Sequence, residues 1–301
     1  MRARPKVISE KQLQRICSAI GWGLSLMLVS ALLIQAVFSM LLGGLAETEW
    51  YRWLLTSVPL YFIAAPCFLL LMNLLPSSGL PAKKDLSFGR FMALLLVALA
   101  LAYSCNLLTM LIQLLMSFHT GYMPENPLDF TMQQSVWPTL LFAVLLAPVV
   151  EEVVFRGVLL CKLRPYGDGI CMMVSGTVFA LFHGNFSQAL YAFALGAFFA
   201  YVVLQYGRLR YAIFLHMGVN CCGVLLPRLS LLSMPAFNQL LVMMVLGATA
   251  AGLTLLFANL HAVKLNPGNT GISPARKMGA AFLNSGMLVF AGFCAILFAL
   301  Q

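Results

Sequence analysis

The chain has 301 residues, 61% hydrophobic and only 9% charged, where soluble domains average about 25% charged. That excess excludes a water-solvated globule, and no stretch is long and polar enough for a separate soluble domain. The net charge of +9 does not indicate nucleic acid, because the basic residues fall in short loops rather than on one face or tail.

A membrane-spanning helix needs roughly 20 apolar residues. Segments of about that length follow one another at 16–45, 51–75, 91–117, 134–162, 170–184, 186–206, 209–227, 236–262 and 279–300. The first 15 residues are basic, but the apolar run behind them is far longer than the ~7–15 residues of a signal-peptide core, so it reads as a retained span. Pro, Gly and charge mark the breaks, as in "PSSGLPAKKD", "RPYGDG" and "KLNPGNTGISPARK". The expected fold is all-α, a polytopic transmembrane helical bundle of about eight or nine spans, the fifth short enough to be tilted or incomplete. The eight cysteines lie mostly in apolar segments and read as small buried hydrophobes rather than disulfides. "GATAAG" at 247–252 spaces small residues for close helix packing.

Basic loops set the orientation. With the N-terminus cytoplasmic, Arg2, Arg4, Lys6, Lys11, Arg15, Lys83, Lys84, Arg90, Lys162, Arg164, Arg208, Arg210, Lys264, Arg276 and Lys277 share that side, and only Arg52 and Arg228 oppose them. The loop from His119 to Gln134 carries Glu125 and Asp129 and no Lys or Arg, as an exterior loop should. A multi-pass protein of a bacterial plasma membrane is expected.

Against this background "APVVEEVVFRG" stands out. It places Glu151, Glu152 and Arg156 inside a span that is otherwise uncharged. Each charge at a helix centre costs at least ~2.5–3.5 kcal/mol on insertion scales, so a functional site is the default reading. Glu152 and Arg156 are four apart and share a helix face. Glu151 points about 100° away and is not neutralised by the same arginine. "FALFHG" puts Phe179 and His183 on one face, and "FLHMGVN" does the same for His216 and Asn220. Counting rises from the basic loops, at about 1.5 Å per residue, lets these groups converge in the cytoplasmic half to the middle of the membrane.

A Glu, two His and an Asn around water suit hydrolysis. A carboxylate withdrawn from bulk water is a good general base. One His orients the water, and the other, with Asn220, donates to a developing oxyanion. The same groups could instead hold zinc through His183, His216 and Glu151, the metal activating water. HExxH and GxSxG are absent. Asn is a poor zinc ligand but a good donor, so water activation by Glu151 with no required cofactor is favoured over a zinc site. An ion- or proton-coupled transporter, or a non-catalytic immunity-type membrane protein, would use intramembrane polar groups too. Against the transporter, the motif residues form one patch with no second cluster to continue a path.

The set "EEVVFR", "FALFH" and "HMGVN", in that order, resembles the EExxxR, FxxxH and HxxxN motifs of the CPBP or Abi family of intramembrane proteases, which includes the type II CAAX prenyl endopeptidases. The resemblance implies Glu151 as catalytic base, His183 positioning water, His216 and Asn220 binding the oxyanion, and Glu152, Arg156 and Phe179 in support. It implies an intramembrane endopeptidase acting on a membrane-embedded or lipidated peptide, with membrane lipid as its surroundings and no nucleic acid partner. The family has been described both as metalloproteases and as glutamate proteases. The chain then divides into residues 1–133, a basic segment and three transmembrane helices; 134–227, the catalytic helical core; and 228–301, two C-terminal transmembrane helices.

Overall fold

Apolar runs punctuated by Pro and Gly fold into helices along the chain, with no strand among the described residues. The computed structural model describes residues 9–121, 134–230 and 234–300. Arg2, Arg4, Lys6, Glu125 and Asp129 lie outside them.

In chain order the helices are α1 (Glu10–Leu41), α2 (Tyr51–Asn73), α3 (Phe88–Thr120), α4 (Val136–Tyr166), α5 (Asp168–Phe182), α6 (Phe186–Tyr206), α7 (Leu209–Ser230), α8 (Pro235–Asn259), α9 (Pro274–Phe282) and α10 (Ser285–Ala299). Their ends follow local chemistry. The Ser9 hydroxyl accepts from Gln12 N–H to start α1, and Asn284 accepts from Met287 N–H to start α10. Gly121 and Gly207 end α3 and α6 in the left-handed region, which glycine enters without steric cost.

Seven of these helices are long and apolar enough to cross a membrane, and up to eight if α9 and α10 form one bent span. The upper count meets the lower of the expected eight or nine, and two features keep it there. Helix α5 has 15 residues, about 22 Å at 1.5 Å each, short of a hydrocarbon core of about 30 Å. The segment read as 279–300 is broken at Leu283 and Asn284, and its halves meet at 64°.

Helices α4 and α6 form the centre, with half of their most apolar window buried, against 11% for α8 at the periphery. Exposed Leu240, Met243 and Met244 on α8 are normal for a helix solvated by lipid. Helices α5 and α6 pack along each other, α3 and α8 flank one side, and α1 with α2, α9 and α10 the other. The α5–α6 crossing depends on glycine, since a Cβ on Gly196 would stand 2.8 Å from Gly176 Cα. Of the small residues at 247–252, Gly252 does press on the Leu96 carbonyl and Ala100, whereas Gly247 touches nothing.

One end of the bundle gathers the basic residues. Arg276 pairs with Glu10, Arg164 donates to Gly79 O, Arg208 pairs with Asp85, and Lys277 donates to Tyr166 O and Pro267 O. Lys162, read from sequence as a loop residue, is instead inside α4 and 5% exposed, because the helix continues to Tyr166.

Candidate active site

Three stretches of π-helix interrupt α2 and α4, at Val58–Ala64, Leu140–Leu146 and Val153–Val158. Such widened turns recur at functional sites. The first two end just before a proline. Ala65 N–H reaches back to Leu60 O ahead of Pro66, and Ala147 N–H to Phe142 O ahead of Pro148. A proline has no N–H to offer, so the Ala143 carbonyl is left without its usual helical donor. Asn220 on α7 supplies one, its Nδ2 donating to Ala143 O at 2.9 Å. In the third stretch the Phe155 carbonyl takes the hydroxyl of Ser175 on α5.

Glu152 and Arg156 pair as their spacing requires, Nη1 to Oε1 at 2.9 Å, with both side chains fully buried. The same Oε1 lies 2.9 Å from His216 Nδ1. The Arg156 guanidinium lies over the Phe179 ring, 4.2 Å from its centroid, where the negative face of an aromatic attracts a cation. Its Nε and Nη2 have no hydrogen-bond partner among the described residues. Phe179 also meets the rings of His183 and His216 edge-on, at 4.7 and 5.8 Å. This explains why an apolar residue belongs to the motif: it separates the arginine from both histidines while touching all three.

Glu151 is held differently. Its Oε1 accepts from the hydroxyl of Tyr61 at 2.9 Å, and its Oε2 lies 3.8 Å from His216 Nε2. That gap is too long for a direct hydrogen bond, and a water can bridge such a separation. His216 therefore stands between the two glutamates, one ring nitrogen toward each.

His183 does not sit within a helix but caps α5 at the point where the chain turns back through Gly184 and Asn185 into α6. Non-helical backbone at membrane depth is tolerated only where protein or a wet cavity satisfies it. Here Asn185, 3% exposed, donates to His183 O and accepts from Gln188 N–H. His183 Nδ1 is 2.7 Å from Phe179 O. A carbonyl only accepts, so Nδ1 carries the hydrogen and Nε2 is left to accept one.

Glu151, Phe179, His183, His216 and Asn220 all line one cavity of about 460 Å³. Its other walls include Tyr61 from α2, Tyr103 and Asn106 from α3, and Gln188 and Tyr191 from α6. The polar patch thus draws on six helices, more than the three that carry the motifs. Glu151 sits midway along α4, and the cavity continues past Phe142, Trp53 and Val224, toward the end of the bundle opposite the basic one. Tyr61 escaped the sequence reading. A phenol between Pro59 and Pro66 within an apolar span was the available signal, because a buried tyrosine hydroxyl needs a partner.

The contact of His216 Nδ1 with Glu152 leaves Nε2 free, as a metal ligand would require, but among the described residues no three His, Cys, Asp or Glu side chains converge closely enough to hold a metal ion. As placed, Glu151, His183 and His216 do not fit a zinc site.

These features define a polytopic helical membrane protein with a buried glutamate–histidine site. Residues 133–222 match the family model described as Type II CAAX prenyl endopeptidase Rce1-like, which supports membership of the CPBP/Abi family and a CAAX-protease-type enzyme. The matched stretch holds all seven motif residues and covers less than a third of the chain. Searches of curated proteins and of solved structures found no match.

Proposed function

We propose that the protein is an intramembrane endopeptidase in which Glu151 activates water to hydrolyse a peptide bond of a membrane-embedded or lipidated substrate. The observation that carries this reading is the environment of Glu151: one oxygen fixed by Tyr61, the other open to the cavity that His183, His216 and Asn220 share. Water donates one hydrogen bond to His183 Nε2 and gives its other proton to Glu151 Oε2 as its oxygen attacks the scissile carbonyl carbon. The carbonyl π electrons move to oxygen. The second N–H of Asn220 and Nε2–H of His216 donate to that oxyanion. Donation from both ring nitrogens requires the imidazolium form, and Glu152 at Nδ1 holds that charge. Collapse of the intermediate breaks the C–N bond, and Glu151 returns its proton to the leaving nitrogen.

The lysines and arginines of the basic end support its placement on the cytoplasmic side. The cavity's course past Phe142 and Val224 then leads from Glu151, midway along α4, toward the opposite half of the bilayer. The test is hydrolysis of a farnesylated CAAX peptide and of a transmembrane peptide by detergent-purified protein, with products identified by mass and metal content measured before and after prolonged chelation. Cleavage that survives in metal-free protein is expected. Stoichiometric zinc whose removal stops cleavage and whose return restores it would overturn the mechanism.

A further inference from the structure

A second, smaller recess of about 110 Å³ lies at the basic end, where α1 begins, α2 ends and α4 ends. Gln12, Ser77, Ser78, Lys162 and Tyr166 contribute its polar lining, and no carboxylate does. Lys162 is 5% exposed and Tyr166 1%, whereas Gln12, Ser77 and Ser78 are exposed at the mouth. The Tyr166 hydroxyl is buried with no hydrogen-bond partner among the described residues. Lys162 donates to Leu75 O at 2.8 Å, in the turn that follows α2, and no ion pair between described residues includes it. An ammonium has three donors, so this one bond leaves a buried cation without a counter-ion.

We infer that this recess binds the phosphodiester of a phospholipid headgroup. The Ser78 hydroxyl already donates to Cys161 O, but the unpartnered Tyr166 hydroxyl and the remaining Lys162 protons offer donors around one positive charge, which matches the single negative charge of a phosphodiester better than a doubly charged phosphate monoester. Basic pockets between transmembrane helices bind such groups at the membrane surface, and hydrogen bonds between ionised partners are the strong ones. The location favours a lipid over a free ion. The last turns of α2, just before Pro76, expose Leu70, Leu71 and Leu74 at 68%, 40% and 82%, an apolar flank on which acyl chains can lie. The site is separate from the Glu151 cavity and does not depend on the proposed hydrolysis.

Native mass spectrometry of the full-length, detergent-purified protein tests this, with dioleoylphosphatidylglycerol, dioleoylglycerol and inorganic phosphate as probes. The wild type should retain the phospholipid in preference to dioleoylglycerol. Lys162→Met should weaken that by about tenfold, the loss expected of a charge-assisted hydrogen bond. Tyr166→Phe should weaken it less, and Lys83→Met, outside the recess, should leave it unchanged. If Lys162→Met does not fold, Tyr166→Phe and Gln12→Ala, which keep the Lys162–Leu75 hydrogen bond, carry the test. Equal retention of dioleoylglycerol, or wild-type binding in these folded variants, would overturn the inference. So would inorganic phosphate binding at the recess with no preference for the lipid.

Discussion

His216 Nδ1 lies 2.9 Å from Glu152 Oε1, the same oxygen that receives Arg156. The ion pair that braces α4 is therefore also the group that sets the ring of the histidine on α7. Removing one partner of a buried pair typically costs ~3–5 kcal/mol, because the other charge is left alone. Glu152→Gln and Arg156→Met should each lower the melting temperature in detergent. The double variant should regain part of the stability but no activity, since His216 has lost its anchor. Strictly additive losses in thermal stability would show that the two side chains do not interact.

Tyr61 lies on α2, outside the matched segment, and touches the chemistry through Glu151 Oε1. Tyr61→Phe keeps the ring and removes the bond. Hydrogen bonds to charged groups contribute ~1.5–3 kcal/mol, so kcat should fall by about ten- to a hundredfold with KM little changed and the melting temperature lowered. A loss confined to KM would make Tyr61 a substrate contact instead.

Pro148 leaves Ala143 O to Asn220. Pro148→Ala restores a backbone N–H and removes a helix-interior proline, which disfavours a helix by ~3 kcal/mol relative to Ala. The variant should be at least as stable as the wild type but slower in hydrolysis, because the backbone competes for the carbonyl that orients Asn220. Unchanged turnover in this variant would remove the proline from the account.

Gly196→Ala places a Cβ 2.8 Å from Gly176 Cα and 3.3 Å from Arg156 Nη2. Overpacking of this kind costs typically ~1–3 kcal/mol. A lower melting temperature is expected, and Gly223→Ala, whose Cβ would meet nothing, serves as the control. Equal stability of the two variants would contradict the close α5–α6 crossing.

Relationships within one helix were legible in the sequence. The Glu152–Arg156 pair and the Phe179–His183 contact follow from four-residue spacing, and both are present. Relationships between helices were not. Spacing says nothing of Tyr61, 90 positions from Glu151, or of His216 facing both glutamates. The π turns were equally hidden, because hydropathy does not register a change from four- to five-residue hydrogen bonding, although Pro66 and Pro148 marked where two of them end. The length of α5 was visible as a short fifth segment. The break before α10 carried its own signal in "NSG", where Asn284 caps the new helix, but the apolar run on both sides concealed it.

In the proposed reaction Glu151 takes the proton from water. The most direct measurement is turnover of a peptide substrate by metal-analysed wild type and Glu151→Gln, purified side by side and compared by thermal melting. The amide keeps the shape and can still accept from Tyr61, but it cannot act as a base. A charge has also left the membrane interior, where it was costly. The variant should be as stable as the wild type, or more so, with no detectable hydrolysis. A folded Glu151→Gln protein that cleaves at the wild-type rate would contradict it.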